Sequence, residues 1–153
     1  MNLRKVKNED LKSFVDCYIK AYSDLEEYKY RKVSDIKNYF KWLLKRDSEA
    51  LYVAERNSKA IGFVAGDRHW VGFDGKKVLE IHELFVIPEE QKKGIGKGLL
   101  EKVLDLGKRS GLEIAELWVG EHNKRAQKFY LKLGFEEVGK WGKWICMRRP
   151  LRF

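Results

Sequence analysis

Apolar residues recur along the chain with two different periods, and these periods predict its secondary structure. Helical spacing, with apolar residues every three or four positions, occurs in residues 11–22, 36–44, 95–106 and 126–133. Short stretches rich in branched and aromatic residues predict strands at residues 3–6, 50–56, 60–70, 78–87, 114–119, 135–138 and 143–149. The resulting order, βααβββαβαββ, predicts an α/β or α+β fold, in which a mixed sheet carries helices on both faces.

Residues with particular backbone preferences predict where the helices begin and end. Asparagine and serine side chains can accept a hydrogen bond from the first turn of a helix, so Asn8, Ser34 and Asn123 are the predicted N-terminal caps. Glycine readily adopts the left-handed backbone that ends many helices. Gly111 and Gly134 are therefore the predicted ends of the last two helices.

Chain length and cysteine content limit the class of protein. At 153 residues, with 44% hydrophobic residues and no internal repeat, the chain fits a single domain over residues 1–153. Two cysteines are too few for a disulfide-rich secreted scaffold or a four-cysteine zinc module, and no His or Cys spacing indicates a metal site. No apolar run approaches the roughly 18 residues of a membrane span, and no signal-peptide pattern occurs at the N-terminus. We therefore expect a cytoplasmic protein without a membrane partner.

The charge balance is strongly basic. A formal net charge of +9 arises from 32 Lys and Arg residues against 23 Asp and Glu residues. Such an excess fits nucleic acid, a membrane surface or a phosphorylated small molecule as partner. Charges of both signs are interspersed, however, and no run of five like charges forms a nucleic-acid-binding tail. Nucleic acid is therefore not an expected partner.

A glycine-rich loop, residues 91–98, leads into the third predicted helix. It carries three glycines and three lysines, namely Gly94, Gly96, Gly98, Lys92, Lys93 and Lys97. Glycines let backbone amides approach a ligand, and a helix N-terminus favours anions, so the loop predicts a phosphate cradle. A Rossmann fingerprint fits poorly because residues 88–90 separate the loop from the strand, and a Walker A loop fails because Gly98 stands where Ser or Thr is required. A strand–helix turn that binds nothing is the structural alternative.

Two longer segments resemble motifs A and B of the GNAT superfamily of acetyl-CoA-dependent N-acetyltransferases. The first is Leu84-Phe85-Val86-x-Pro88-Glu89-x-Gln91-x-x-Gly94-x-Gly96, which contains the Gln-x-x-Gly-x-Gly core of motif A. The second lies about thirty residues downstream and is Asn123-x-Arg125-Ala126-x-x-Phe129-Tyr130-x-x-x-Gly134-Phe135. The element order also matches that family's fold, so the resemblance covers nearly the whole chain. It implies a mostly antiparallel sheet of six to seven strands whose central strands splay apart.

The resemblance also assigns residues to acetyl-CoA. It implies that the backbone amides from Lys92 to Lys97 hold the pyrophosphate and that Lys93 faces a CoA phosphate. The backbone of residues 84–86 would pair with the pantetheine arm like an added strand, while Asn123 would hydrogen-bond that arm or act only as a helix cap. The implied acetyl-CoA-binding residues are Leu84, Phe85, Val86, Gln91, Lys92, Lys93, Gly94, Ile95, Gly96, Lys97, Asn123 and Tyr130.

The reaction that the resemblance implies is direct attack of an amine on the thioester, with Tyr130 as the general acid. This residue occupies the motif B position where the family often uses tyrosine. A phenol with a pKa of about 10 is reasonably matched to an alkyl thiol. The alternative is a tyrosine that packs in the core beside Phe129.

The general base is left between Glu80 and Glu83. Polar residues at positions 80, 82 and 83 interrupt an otherwise apolar central strand, and burying carboxylates there is costly unless a cleft requires them. Members of the family place an acidic residue at one or the other of these positions. Strict alternation puts Glu80 and His82 on one face and Glu83 on the other, so both carboxylates line one site only if a β-bulge resets the parity. Salt-bridged residues at a strand end are the alternative.

The acceptor is less constrained by the sequence. Residues 23–33 lack a clean period and predict a loop or a broken helix, in which Asp24, Glu26 and Glu27 are interspersed with tyrosines. Acidic and aromatic side chains together suit a cationic amine, either a small molecule or a protein amine, and a solvated charged loop is the alternative. Trp118 stands where protein N-terminal acetyltransferases often carry a glutamate, which weakens that subclass.

Two other classes of function compete with the enzyme. A non-catalytic acyl-CoA-binding or sensing domain would not need Tyr130 together with a nearby carboxylate, and the chain has both. A basic nucleic-acid-binding module needs a clustered Lys and Arg face with exposed aromatic residues, and no such motif occurs. The sequence therefore predicts an N-acetyltransferase that acts on a primary amine. It leaves the oligomeric state open, a homodimer included.

Overall fold

The computed structural model describes residues 1–152 and has the predicted element order, βααβββαβαββ. The helices are α1 (Leu11–Ala21), α2 (Val33–Arg46), α3 (Ile95–Arg109) and α4 (Lys124–Lys132). The strands are β1 (Asn2–Lys5), β2 (Leu51–Arg56), β3 (Lys59–Val71), β4 (Lys77–Val86), β5 (Ile114–Gly120), β6 (Glu136–Trp141) and β7 (Trp144–Pro150). Among the described residues, no helix combines the length and the apolar character that a bilayer span needs.

One seven-stranded sheet joins all the strands in the order β1-β2-β3-β4-β5-β7-β6. Every neighbouring pair is antiparallel except β4 and β5, which are parallel. These two strands pair only from Leu79 with Ala115 to Ile81 with Leu117, although both continue further. Beyond that point the backbone groups of β4 that face β5 have no strand partner within residues 1–152. The predicted mixed, mostly antiparallel sheet with splayed central strands is thereby confirmed.

Two residues on opposite faces of β3 show that helices cover both faces of the sheet. Phe63 packs against Phe14 of α1, with ring centroids 5.2 Å apart. Gly66 lies on the other face, where an added Cβ atom would come within 2.3 Å of Val103 in α3. This close approach between sheet and helix requires glycine at that position. Helix α2 packs beside α1, on the face opposite to α3.

Two predicted helix caps are wrong. Asn8 opens a short 3-10 turn instead, and α1 begins after Asp10, whose carboxylate accepts the Lys7 amide at 2.8 Å. Ser34 lies inside α2, which begins one residue earlier because the Lys32 carbonyl already accepts the first helical hydrogen bond, from Ile36. In both places a neighbouring group already makes the hydrogen bond at the start of the helix. The residue with the better capping side chain therefore does not act as the cap.

The other three predicted helix ends are confirmed. The Asn123 side chain accepts the Ala126 amide at 3.3 Å and caps α4. Gly111 and Gly134 follow α3 and α4 with φ angles of 85° and 92°, the left-handed conformation that favours glycine. The Asn123 cap fixes the direction in which the chain turns from β5 into α4.

Candidate active site

A cleft of about 630 Å³ opens where β4 and β5 diverge. Residues 80–84 of β4 form one wall and residues 117–120 of β5 form the other. The first turn of α4 and the segment between α1 and α2 complete it. Aromatic side chains supply much of the remaining lining, namely Tyr18, Tyr22, Tyr28, Tyr30, Tyr39, Trp70, Trp118, Trp141 and Trp144.

The cleft brings together five of the predicted site residues from three elements. They are Glu80, Glu83, Leu84, Asn123 and Tyr130. The other predicted residues lie outside its lining. Phe85 and Val86 are buried further along β4, and residues 91–97 form the loop between β4 and α3.

A β-bulge in β4 places both candidate bases on the same face. Gly66 of β3 pairs with Ile81, and the preceding Ala65 pairs with Glu83, so His82 is an extra residue in β4. Glu80 and Glu83 therefore share a face, which strict alternation would forbid. The condition under which both carboxylates can line one site is met.

Two tyrosine hydroxyls hold the buried carboxylate of Glu83. Tyr22 of α1 donates to Oε1, and Tyr39 of α2 donates to Oε2 at 2.8 Å. Burial raises the pKa of Glu83 to about 7, against the opposing effect of hydrogen bonds from Tyr22, Tyr39 and the Leu84 backbone. Near neutral pH this carboxyl can therefore both accept and release a proton, as a general base requires.

Glu80 has a different environment, because it lies against a second buried carboxylate. Its cross-strand neighbour is Glu116, which is fully buried and accepts Arg148 Nε at 2.9 Å. Burial, together with the hydrogen bond and the charge of Glu116, raises the pKa of Glu80 far above its usual range. The two carboxyl groups therefore share a proton. Glu80 Oε1 is buried without a hydrogen-bond partner among the described residues.

We expect Glu80→Gln to make folding less sensitive to alkaline pH. Above the usual glutamate pKa of 4.5, folded Glu80 holds a proton that the unfolded chain releases. The free energy of unfolding of the wild type therefore falls as pH rises, by up to about 1.4 kcal/mol per pH unit. A glutamine needs no proton, so the variant should gain stability relative to the wild type between about pH 5 and about pH 9. Urea unfolding measures this difference, with the exposed Glu137→Gln as control, and parallel pH dependences would contradict a shared proton.

Tyr130 is buried at the cleft and has a free hydroxyl. Its ring packs edge-on against Phe129 and Phe135, with centroids 5.2 and 5.6 Å away. No protein hydrogen bond to its hydroxyl occurs within residues 1–152. Burial, and then the charge of Glu83, raise the pKa of Tyr130 well above its ordinary value, so the hydroxyl stays protonated. Tyr130 therefore packs in the core and also borders the cleft. Its predicted role as general acid is compatible with its alternative role in packing.

The glycine loop has the backbone geometry of an anion cradle. Lys92 and Gly94 are left-handed, with φ angles of 64° and 82°, and such residues arrange neighbouring amides into concave nests. The first helical hydrogen bond of α3 runs from Gly98 to the Gly94 carbonyl, so the three intervening amides precede the helical ladder. An added Cβ atom at Gly96 would come no closer than 3.5 Å to Phe129. At Gly94 an added Cβ atom would meet nothing within 4 Å, so the loop leaves open space beside its free amides, which fits a pyrophosphate.

Most of the chain matches a known protein family. The sequence profile of the acetyltransferase (GNAT) family matches residues 11–135. The chain belongs to the acetyltransferase (GNAT) family. It is therefore an acetyltransferase that uses acetyl-CoA as co-substrate, and the predicted family, enzyme class and co-substrate are confirmed.

Individual GNAT relatives agree with this assignment. An uncharacterized N-acetyltransferase of Archaeoglobus fulgidus is 49% identical over 131 residues, which cover 85% of this chain and 89% of that protein. The crystal structure of PH1933 from Pyrococcus horikoshii OT3 is 36% identical and superposes with a TM-score of 0.89 over 99% of both chains. The PaiA N-acetyltransferase of Thermoplasma acidophilum, solved in complex with coenzyme A, shares the fold with a TM-score of 0.82 at 22% identity, over 97% of this chain and 98% of that one.

Several residues of this GNAT site were not predicted. Tyr22 and Tyr39 appear in the sequence only as members of apolar helical stripes, and nothing local indicates that both reach Glu83. Trp141 and Trp144 flank a hairpin turn and are typical of packing, yet both line the cleft. The signal that was available is the high aromatic content of 13%, but it does not say which rings face a cleft.

Proposed function

We propose that this GNAT enzyme transfers the acetyl group of acetyl-CoA to a primary amine that arrives as a cation, with Glu83 as general base and Tyr130 as general acid. The observation that carries the proposal is the buried, tyrosine-held Glu83 carboxylate in the same cleft as the free Tyr130 hydroxyl. The glutamate can take a proton from the attacking nitrogen, and the tyrosine can give one to the departing sulfur.

The lining of the cleft supports a cationic acceptor. Glu27 and Glu83 contribute carboxylates, Glu80 contributes a protonated carboxyl group, and ten tyrosine and tryptophan rings line the cleft with them. Among the described residues two lysines line the cleft, and both are engaged. Lys29 Nζ pairs with Glu26 Oε1 at 2.9 Å, whereas Lys143 Nζ donates to the Glu27 carbonyl at 2.5 Å and lies over the rings of Tyr28 and Trp144. An ammonium entering the cleft would therefore meet π faces and carboxylates rather than a competing free charge. A small amine and a protein amine both fit this description.

The raised pKa of Glu83 reduces the cost of removing a proton from the attacking nitrogen. An alkyl ammonium has a pKa of about 10.4 and an ordinary glutamate about 4.3, so proton transfer between them is uphill by about six pKa units. With the pKa of Glu83 at about 7, transfer is uphill by about three units, or about 4 to 5 kcal/mol. This remaining cost is modest beside a typical enzymatic barrier. Glu83 is favoured over Glu80 as the base because Glu80 already holds a proton near neutral pH.

Proton uptake by Glu83 also prepares Tyr130 for its role. The negative charge of Glu83 is one cause of the raised pKa of Tyr130. That contribution disappears once Glu83 is protonated, so Tyr130 becomes a stronger acid when the thiolate departs. Base and acid would thus act in sequence, with the amine proton moving to Glu83 before the phenolic proton moves to sulfur.

The chain's own backbone would hold acetyl-CoA. Free amides from Lys92 to Lys97 would bind the pyrophosphate, with Lys93 near a phosphate. The backbone of residues 84–86 on the side that faces the cleft would take the pantetheine arm as an added strand, although the Val86 carbonyl on that strand already accepts Gln91. The Asn123 amide nitrogen is available to this arm because only its oxygen caps α4. The Gln91 side chain instead donates to the Val86 carbonyl at 2.9 Å, and so fixes the loop to the end of β4.

The direct test combines binding with turnover. Calorimetry should show one acetyl-CoA bound per chain, and a panel of primary amines should release free thiol from acetyl-CoA. Release without an amine would indicate only hydrolysis. Binding without release from any small or peptide amine would overturn the proposal in favour of a non-catalytic acyl-CoA-binding domain.

We expect Gly96→Glu to weaken acetyl-CoA binding at least about tenfold while the fold is retained, because the new carboxylate would lie beside the free amides of the loop and repel the pyrophosphate. Calorimetry and circular dichroism measure the two effects. Gly98→Glu is the matched control, since this residue lies on another side of α3, where an added Cβ atom would face Leu3. Equal affinities for the two variants would mean that the loop is not the phosphate site.

A further inference from the structure

His82, the extra residue of the β4 bulge, is held rigidly at the cleft. Its side chain is 9% exposed, and its ring meets Trp42 and Trp70 edge-on with centroids 4.9 and 4.7 Å away. Its Nε2 atom lies 2.9 Å from Asp67 Oδ2. No protein partner of its Nδ1 atom occurs in residues 1–152, and His82 is one of the residues that line the cleft.

The surroundings of Asp67 determine which nitrogen of His82 carries the proton. Asp67 is fully buried, and it also accepts Arg46 Nε at 2.7 Å and the His69 amide at 2.8 Å. Although burial acts in the opposite direction, the hydrogen bonds from His82, Arg46 and His69 hold the pKa of Asp67 below its usual range. An ionised aspartate only accepts, so Nε2 must carry a hydrogen. In neutral His82 the lone pair is therefore on Nδ1.

The overall reaction requires two proton acceptors at the amine. An ammonium loses one proton to become a nucleophile and a second when its bond to the carbonyl carbon forms. One proton is gained by the sulfur as the carbon–sulfur bond breaks, and one is released to solvent, so charge and atoms balance. Glu83 can take only one of the two protons.

We propose that His82 Nδ1 is the second base of this site, taking the proton that the acceptor ammonium loses before attack, with Asp67 as its positioning residue. The inference rests on the proposed function. Glu83 is assigned the later proton because it shares the cleft with Tyr130, the proposed acid of that step, and its charge acts on that hydroxyl. His82 precedes it by one residue and lies on the side of Trp70.

The other polar groups around His82 are consistent with this role. Its carbonyl accepts the Tyr39 hydroxyl at 3.2 Å, which fixes the backbone of the bulge. The titratable and charged groups that face it from α2, β3 and β4 are Arg46, Tyr39, Asp67, Glu80 and Glu83. Arg46 is engaged with Asp67, so it does not oppose a proton on the imidazole as strongly as a free cation would.

Two amines of similar size separate this role from a structural one. Ethylamine is an ammonium at neutral pH, whereas trifluoroethylamine is a free amine because fluorine withdraws electrons. We expect His82→Asn to lower kcat/KM for ethylamine by about a hundredfold, the lower end of general acid–base effects, with partial recovery at alkaline pH. The same variant should change kcat/KM for trifluoroethylamine little, since only one proton then leaves. His69→Asn is the matched control, because the exposed imidazole is two residues from Asp67 and only its backbone contacts that carboxylate.

The outcomes distinguish the role of His82 from the proposed function itself. Equal losses for both amines would make His82 a structural residue, and no loss for either would place the second base elsewhere. A nitrogen-15 spectrum of the wild type gives an independent readout, in which we expect protonated Nε2 and unprotonated Nδ1. The opposite tautomer in an active enzyme would overturn the inference alone. The expected tautomer in a protein that acetylates neither amine would overturn the proposed function for small amines, and the role of His82 with it.

Discussion

Glu83→Gln is expected to lower kcat/KM for an amine acceptor by about 10²- to 10⁴-fold, the usual contribution of general acid–base catalysis. Glutamine keeps the size of the side chain and can still bond to Tyr22 and Tyr39, but it cannot accept a proton. In the wild type, Glu83 acts only when ionised, so activity should fall as pH drops below about 7, the pKa of this carboxyl. The variant should lack this fall in activity at low pH, which is the acid limb of the pH–rate profile. A pH–rate profile with trifluoroethylamine isolates the enzyme's ionisation from that of the substrate.

Two further variants give this experiment its controls. Glu80→Gln is the same substitution on the same strand and should retain the acid limb, since Glu80 already holds a proton at neutral pH. Tyr39→Phe removes a hydrogen bond that lowers the pKa of Glu83, so the limb should move to higher pH. An acid limb that disappears in Glu80→Gln and persists in Glu83→Gln would reverse the assignment of the base.

The fold could be predicted from the sequence because its determinants are local or motif-based. Apolar periods reflect which face of each element is buried, and they indicate all eleven elements in the correct order. The splay of β4 from β5 came from the resemblance of two motifs, since no local pattern specifies where two parallel strands stop pairing. The two wrong caps show the limit of local preference. At Ser34 the carbonyl of Lys32 satisfied the helix start first.

The site could be predicted only in part, because its chemistry depends on contacts between distant segments. Glu80, Glu83 and Tyr130 are candidates that the sequence suggests from their positions in strands and motifs. What distinguishes the two glutamates lies elsewhere, in the tyrosines of α1 and α2 around Glu83 and in Glu116 beside Glu80. The bulge at His82 likewise depends on the pairing with β3. No residue type in an alternating pattern identifies which position will be the extra residue of a bulge.

Replacement of Tyr130 by phenylalanine should lower kcat and kcat/KM together by about 10²- to 10⁴-fold. The ring keeps its packing against Phe129 and Phe135, and only the hydroxyl that we propose as the general acid is lost. Acetyl-CoA affinity and the melting temperature should therefore stay close to the wild-type values. Tyr30→Phe is the matched control, because Tyr30 also lines the cleft but lies in the segment between α1 and α2, and it should retain kcat.

The leaving group provides a sharper criterion for the role of Tyr130. A more acidic thiol departs as a thiolate without needing a proton, so the acetyl thioester of an aryl thiol should be less affected by Tyr130→Phe than acetyl-CoA. Assay of both donors with one amine measures this difference, and it removes any effect of the variant on the acceptor. Equal losses with the two donors would mean that the hydroxyl positions a substrate and does not protonate sulfur. Wild-type rates with both would leave Tyr130 as a packing residue of the cleft wall.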